Sequence, residues 1–392
     1  MPTLSPAPRP LLTSPSPARP GRRALVLAAV SSGALAGWGT AALAGAVGNP
    51  YADGEFGWIT SLLSPTTTTW LAVALGVVGT VAALLARSRR QPTSHRLLVA
   101  VALVEVLGAG VALQSVDTIA LAGYLVALAL PVGLVWLSIQ VVRRYRRVRW
   151  AVLAGWVLLV VVGGSTDVLA PRHLAALAGE LATGFARQAP SLVVVLLLAL
   201  VTGSWVRVGL SVLRGTPGAA RVEDRVLRHR TGLTLLAAAG PLPYGLIRAS
   251  WLTPWPLLEP SDEALPPEVR VWGLLLGTGA LVGAVLTVGL IRPWGSVFPR
   301  WMPWLGGRTV PPAAAVVPGG LVAGLVTASA LPMLWLVAAA PDGSVFGGLA
   351  VWERIGALLI FPFGVWGPAL ALAVLGYALA RARSAGLPSA GD

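Results

Sequence analysis

Residues 97–116 read LLVAVALVEVLGAGVALQSV and contain one charged side chain, that of Glu105. A helix needs about 20 predominantly apolar residues to cross the hydrocarbon core of a bilayer, and this stretch has that length. Three other runs, at 118–142, 271–291 and 355–380, contain no charged residue. Runs of this length and composition predict a chain that crosses a membrane several times.

The composition of the whole chain agrees with this prediction. Of the 392 residues, 56% are hydrophobic and 11% are charged, and the mean hydropathy is +0.77. An average soluble domain carries roughly 25% charged residues. The composition therefore excludes a secreted enzyme, a disordered chain and a soluble DNA-binding domain.

Hydropathy predicts an all-α integral membrane protein, a bundle of about ten transmembrane helices in one domain. The second and fifth predicted spans are the shortest, and the seventh is interrupted. Residues 1–23, rich in Pro and Arg, are predicted to form a disordered tail, and residues 381–392 a second tail. The predicted spans lie near 24–48, 69–86, 97–116, 119–142, 150–168, 190–209, 231–250, 271–291, 313–340 and 356–380.

The basic residues alternate between the segments that connect these spans. All 29 are Arg, and 24 of them lie in the tail up to Arg23 and in the segments 87–96, 143–149, 207–230, 292–308 and 381–392. Eleven of the 15 acidic residues lie in the other connecting segments. The positive-inside rule then places both termini in the cytoplasm, which agrees with an even number of spans in the bacterial plasma membrane. The net charge of +14 predicts attraction to anionic lipids on the cytoplasmic face rather than to nucleic acid.

The first span has an alternative interpretation as a cleaved export signal. Arg22 and Arg23 precede an apolar stretch that ends in the small residues of Ala42-Leu43-Ala44. The stretch is longer than the roughly 7–15 apolar residues of a signal peptide, so a retained span is favoured. Cleavage would leave nine spans and an external N-terminus.

Glu105 is the strongest single candidate for a functional side chain. A carboxylate near the middle of a bilayer is energetically costly and normally faces a cavity or a partner. We therefore predict an intramembrane proton or ion site at Glu105. The alternative is a structural Glu that is hydrogen-bonded to a neighbouring helix or paired with Arg207 or Arg248, although both Arg residues are predicted to lie nearer the two interfaces.

Proline residues interrupt the seventh and tenth predicted spans. Each Pro removes a backbone donor and clashes with the preceding turn, and broken helices at membrane depth often mark transporter binding sites. We predict a substrate region at these breaks, with ordinary kinks as the alternative. Its candidate residues are Pro241, Pro243, Tyr244, Pro362 and Pro368.

The segment 292–308 combines three Arg, three Trp and several Pro residues. Arg side chains bind lipid phosphates, and aromatic rings prefer the boundary between headgroups and acyl chains. This composition predicts a loop that binds lipid or a partner on the cytoplasmic face, with a stiff interfacial turn as the alternative. The candidate residues are Arg292, Trp294, Arg300, Trp301, Trp304 and Arg308.

Motifs of known catalysis are missing from the sequence. It contains no Cys and no Lys, and its three His residues lie outside the predicted spans. It also lacks a phosphate-binding Gly-rich loop, a His-Glu-x-x-His motif and a Gly-x-Ser-x-Gly elbow. We therefore predict no catalytic residue, no metal and no cofactor, and an enzyme is the less favoured class.

Six short motifs in the C-terminal half carry a family resemblance. They are GLIR at 245–248, WLTPWP at 251–256, RPWG at 292–295, FPRW at 298–301, GRTVP at 307–311 and WGPALAL at 366–372. Mainly over residues 231–380, the chain resembles a group of uncharacterised multi-pass membrane proteins from actinobacteria. The resemblance implies a membrane location and the number of spans, and it transfers no functional residue to this chain.

Two functional classes remain open. The favoured class is a secondary transporter or permease-like protein in which the broken helices form a central site and Glu105 couples to protons. The alternative is a non-catalytic membrane component that binds lipid or a partner protein through the loop 292–308.

Overall fold

The structure is a computed structural model that describes residues 20–52, 58–88, 94–115, 132–136, 138–143, 149–165, 171–214, 216–251, 257, 267–300, 302, 305–340 and 347–386. Within these ranges every extended regular element is a helix, which confirms the predicted all-α class. The principal helices are α1 (Arg22–Leu43), α2 (Pro65–Arg87), α3 (His95–Leu107), α4 (Arg149–Ser165), α5 (Pro171–Leu213), α6 (Pro217–Arg228), α7 (Arg230–Ala239), α8 (Leu242–Ser250), α9 (Pro267–Gly289), α10 (Pro312–Ala339), α11 (Val351–Ile360) and α12 (Phe363–Gly386).

Among the described residues, seven helical segments are long and apolar enough to cross a membrane, whereas the sequence predicts ten spans. They correspond to the first, second, third, sixth, eighth, ninth and tenth predicted spans. The fourth, at 119–142, lies largely outside the described residues, and the fifth corresponds to the 17-residue helix α4. The seventh is divided into α7 and α8, with 10 and 9 residues, because Pro241 cannot donate the backbone hydrogen bond that would continue the helix.

Helices α1, α2 and α3 pack with the C-terminal half of α5 into what we call the N-terminal bundle. The closest pair is α1 and α2, which run antiparallel. A Cβ atom built at Gly76 would lie 2.5 Å from both the Ala36 nitrogen and the Ser32 carbonyl oxygen, so the two backbones touch there. Small residues permit this close approach, and van der Waals packing between helix backbones is the main stabilising contact available inside a bilayer.

Helices α7 to α12 form a second group, the C-terminal bundle. Within it α12 packs against α10 and α7. A Cβ atom at Gly367 of α12 would lie 2.6 Å from the Thr327 nitrogen of α10, so this pair also depends on a glycine. The two bundles are joined because α5 contacts both α9 and α10.

Several Arg-rich segments meet at one end of the molecule, which we call the arginine end. The beginning of α1 and the end of α5 share a cavity there. Asp224 of α6 forms an ion pair with Arg383 at 2.8 Å, and Arg381 donates hydrogen bonds to the carbonyl oxygens of Ser296 and Val310. Four of the six predicted basic segments are thus on the same side, as the alternation of charge predicts.

Candidate functional site

Glu105 lies in the interior of the N-terminal bundle, near the end of α3. Its side chain is 0% exposed, and neither carboxylate oxygen has a hydrogen-bond partner among the described residues. At 1.5 Å per residue, Glu105 is about 15 Å from the start of α3 at His95. That distance is about half the thickness of a bilayer core, as the sequence predicts.

The carboxyl group of Glu105 occupies space that a side chain on α2 would otherwise fill. A Cβ atom at Gly79 would lie 2.6 Å from Glu105 Oε1 and 2.5 Å from Ser32 Oγ. The missing side chain of Gly79 therefore leaves room for a carboxyl group from α3 and a hydroxyl group from α1. Three helices contribute to this contact, and none of their side chains there is basic.

A polar layer extends from this contact to α5. Trp205 Nε1 donates a hydrogen bond of 3.0 Å to Ser32 Oγ, and the hydroxyl groups of Ser31 and Ser204 share another of 3.0 Å. All four side chains are buried. Like Glu105, they lie roughly 12–15 Å from the arginine end of their helices. We refer to Ser31, Ser32, Glu105, Ser204 and Trp205 as the polar layer.

The end of α3 next to Glu105 is an irregular segment held by side chains from elsewhere. Residues Gly108–Ala112 continue α3 as one turn of π-helix, a form that is frequent at functional sites. Tyr51 donates a hydrogen bond of 2.9 Å to the Leu113 carbonyl oxygen, and Trp58 donates one of 3.3 Å to that of Val111. These contacts fix the position of α3, and with it the position of Glu105.

The structure does not pair Glu105 with either Arg that the sequence analysis considered. Arg207 lines the cavity at the arginine end. Arg248 lies in the C-terminal bundle, where its guanidinium carbon is 4.0 Å from the ring centre of Trp251 and 5.1 Å from that of Tyr244. Within the described part of the chain, no ion pair neutralises the Glu105 carboxyl group.

The two proline breaks of the C-terminal bundle lie against each other. Tyr244, just after the break between α7 and α8, has its ring centre 5.3 Å from that of Phe361, which precedes Pro362 between α11 and α12. Gly240 contacts Trp366 so closely that no side chain would fit at position 240. The structure therefore brings the seventh and tenth predicted spans together at their interruptions.

The individual prolines differ in their positions. Pro241 is buried at the break, and Pro243 lies in the first turn of α8. Pro362 separates α11 from α12, whereas Pro368 is exposed inside α12 and does not end that helix. Pro368 is thus set apart from the breaks by a turn of helix.

Arg248 is a candidate that the sequence analysis treated only as a possible mate for Glu105. Its guanidinium group lies over the rings of both Tyr244 and Trp251, a favourable arrangement for a cation, and its buried Nε atom has no hydrogen-bond partner among the described residues. Gly277 of α9 makes room for it, because a Cβ atom there would lie 2.5 Å from Arg248 Cβ. The sequence carries one indication of this contact: Tyr244 and Arg248 are four residues apart, a spacing that puts two side chains on the same face of a helix.

The loop 292–308 is held in a defined conformation at the arginine end. Phe298 N donates to the Arg308 carbonyl oxygen, and Gly307 N donates to that of Phe298, both at 2.9 Å. Tyr377 of α12 adds a hydrogen bond of 2.8 Å to the Gly295 carbonyl oxygen. Trp294 packs against Gly289 at the end of α9.

The side chains of the loop's basic residues are exposed: Arg292, Arg300 and Arg308. Trp301 and Trp304 lie outside the described residues. The backbone hydrogen bonds of the described part of the loop suit the stiff interfacial turn, and the exposed side chains of Arg292 and Arg308 also suit binding to lipid or a partner.

Glu105 and the proline breaks lie in different bundles. The structure places Glu105 against α1 and α2, whereas both breaks are formed by helices of the C-terminal bundle. The structure therefore does not bring Glu105 and the proline breaks together in one central site. Any coupling between Glu105 and the proline breaks would act through α5, which contacts α9 and α10 of the C-terminal bundle.

The chemistry of the polar layer is that of a carboxyl group, three hydroxyl groups and an indole. Among the described residues, no three His, Asp or Glu side chains come together in a group that could hold a metal ion. A carboxyl group can take up and release a proton, and the hydroxyl groups can donate or accept hydrogen bonds.

No protein-family model, curated protein or solved structure matches the chain.

Proposed function

We propose that the protein is a secondary transporter or permease-like protein of the bacterial cell membrane, and that Glu105 is its proton site. The observation that carries this proposal is a fully buried carboxyl group, without a hydrogen-bond partner among the described residues, midway along a spanning helix. Ionisable groups at membrane depth normally belong to ion pathways or proton relays.

In this proposal the proline breaks form the substrate region. Pro241 and Pro362 leave backbone groups without their usual helical partners, and such groups are tolerated at membrane depth where protein or a cavity satisfies them. Tyr244 and Phe361 are in contact at the breaks, and Arg248 lies one helical turn from Tyr244. Aromatic rings and a cation suit a substrate that has an apolar part and an anionic group.

The proposed topology has about ten spans, with α7 and α8 crossing as one broken helix and both termini in the cytoplasm. It is supported by the arginine end, where the start of α1 and the end of α12 lie on the same side. Cytoplasmic segments are enriched in Arg and Lys, so the arginine end would face the cytoplasm and its anionic lipids.

The proposal is tested by replacing the carboxyl group of Glu105 with an amide of the same shape. Purified protein is reconstituted into liposomes that enclose a pH-sensitive dye, and candidate solutes are added one at a time. We expect at least one solute to change the internal pH with the unchanged protein, and Glu105→Gln to abolish that response because an amide cannot carry the proton.

Glu223→Gln is the matched control, since it makes the same chemical change on α6, outside the seven apolar segments. It should leave the solute-dependent pH change intact. Equal incorporation into liposomes and equal unfolding temperatures show that the variants fold. A full response with Glu105→Gln contradicts the assignment of Glu105, and no response to any solute with the unchanged protein contradicts proton-coupled transport.

A second candidate function is a non-catalytic membrane component that binds lipid or a partner protein through the loop 292–308. The observation that favours it is the exposure of Arg292 and Arg308 on a loop whose backbone is already hydrogen-bonded. A preformed loop loses little conformational entropy on binding. Replacing Arg292, Arg300 and Arg308 with Gln should release a copurifying lipid or protein, and unchanged association after this replacement contradicts the second candidate.

A further inference from the structure

A cavity of about 510 Å³ opens at the arginine end, between the beginning of α1 and the end of α5. Its volume is within the range of small-molecule binding pockets, roughly 300–1,000 Å³. This cavity is separate from the polar layer and from the loop 292–308. The lining residues are Gly21, Arg22, Arg23, Ala24, Arg207, Ser211 and Arg214.

The charge of this cavity is strongly positive. Four of its seven lining residues are Arg, and none is acidic. Within the described part of the chain, none of the four guanidinium groups forms an ion pair. The tail that precedes α1 contains no acidic residue, since the first in the sequence is Asp53, so the tail cannot neutralise the four charges.

The position of the cavity in a membrane follows from the helices that form it. Arg22 and Arg23 begin the first apolar segment, and Arg214 follows the end of α5 at Leu213. Arg207 lies one to two turns inside α5, about 9 Å along the axis from Leu213, within reach of the interface for a long side chain. The four guanidinium groups therefore lie at the depth of the phospholipid headgroups.

The donor groups of the cavity match a phosphate group. A guanidinium group binds phosphate through two parallel hydrogen bonds, and Ser211 adds a hydroxyl group at the wall. The first N–H groups of α1 have no partners within the helix and add to the positive potential of its N-terminus. All four Arg residues are exposed to solvent, so water and salt already reduce the repulsion between their charges, and an anion bound between them would reduce it further.

We propose that this cavity binds a phosphate-bearing anion through the guanidinium groups that line it, those of Arg22, Arg23, Arg207 and Arg214. The phosphate can belong to the headgroup of an anionic phospholipid or to a soluble phosphate ester. This site is distinct from the proposed proton site, because none of its lining residues belongs to the polar layer, although Arg207 follows Trp205 by only two residues on α5.

The test uses detergent-purified, delipidated full-length protein and native mass spectrometry. Three probes are titrated separately: phosphatidylglycerol, phosphatidylcholine and inorganic pyrophosphate. The test variant combines Arg23→Gln with Arg207→Gln. The matched control combines Arg292→Gln with Arg308→Gln, which removes the same charge from exposed positions at the arginine end outside the cavity.

We expect phosphatidylglycerol to bind one to one and phosphatidylcholine to bind much more weakly. The test variant should weaken phosphatidylglycerol binding by roughly tenfold or more, and the control by less than about threefold. If the occupant is a soluble phosphate ester, pyrophosphate will show the same dependence on Arg23 and Arg207 instead. A variant with Lys at both positions keeps the charge, and its partial retention of binding would show that the loss does not come from misfolding.

Three results would overturn the proposal. The first is unchanged binding of both anionic probes in the test variant. The second is an equal loss in the test variant and the control, which would indicate diffuse attraction to the whole arginine end. The third is a loss confined to the control, which would transfer the site to the loop 292–308.

Discussion

The packing around Glu105 can be tested with one methyl group. Gly79→Ala would place a Cβ atom 2.6 Å from Glu105 Oε1 and 2.5 Å from Ser32 Oγ, well inside van der Waals contact. Ser32 has little freedom to retreat, because its hydroxyl group accepts the hydrogen bond from Trp205. Either Glu105 must turn away or α1 and α2 must separate.

The expected magnitude follows from two opposing effects. Overpacking a well-filled interior costs about 1–3 kcal/mol. Replacing Gly with Ala inside a helix contributes about 1 kcal/mol of stability in the other direction. Gly37 on α1 provides the matched control, since a Cβ atom there has no neighbour within 4 Å. Gly79→Ala should therefore be about 1–3 kcal/mol less stable than Gly37→Ala.

The assay is reversible unfolding in detergent, followed for both single variants and for Gly79→Ala combined with Glu105→Ala. If the new methyl group clashes with the carboxyl group, the double variant will be more stable than the sum of the two single effects predicts, by about 0.5–3 kcal/mol. Equal stability of Gly79→Ala and Gly37→Ala would refute the close contact. Strict additivity with Glu105→Ala would refute the placement of the carboxyl group beside Gly79.

Three further predictions concern contacts around this site and at the arginine end. Ser32→Ala leaves the buried indole of Trp205 without its acceptor and should cost about 1–2 kcal/mol of unfolding free energy, measured in detergent. Burial raises the pKa of the Tyr51 hydroxyl group above its ordinary value of about 10, so its contribution to stability is complete below pH ~10 and decreases at higher pH. The difference in unfolding free energy between the unchanged protein and Tyr51→Phe should therefore become smaller as the pH is raised above ~10, and a difference that stays constant would contradict the burial of the hydroxyl group. Arg381→Gln removes the hydrogen bonds to the carbonyl oxygens of Ser296 and Val310, which leaves the loop 292–308 more weakly held against α12, and it should speed tryptic cleavage within the loop. Arg383→Gln, which loses an exposed ion pair, should not.

Much of the fold could be predicted because membrane insertion is a local property of the chain. About 20 apolar residues cross a bilayer whatever the neighbouring helices do, so seven of the ten predicted spans are long apolar helices in the part of the chain that the structure describes. The same argument placed Glu105 at mid-span, since its depth depends only on its distance from the ends of its own helix. The split of the seventh span at Pro241 also has a local cause, a missing backbone donor.

The composition of the site could not be predicted in this way. Ser32 and Trp205 are 173 residues apart in sequence, and no pattern in the sequence of either helix predicts the hydrogen bond between them. The same is true of Gly79, one of many glycines in the spans, which is distinguished only by the two polar atoms beside it. The sequence analysis therefore found the carboxyl group without the layer that surrounds it.

The sequence alone determined that this is an α-helical membrane chain with basic residues concentrated in alternate connections and one carboxylate at mid-span. Only the tertiary structure decided which helices meet: that Glu105 lies against Gly79, that the two proline breaks contact each other, and that these two features lie in different bundles. The physical reason is that hydropathy acts on each helix separately. Pairing inside a bilayer depends on close packing at small residues and on single interhelical hydrogen bonds, and these exist only once two helices are in contact.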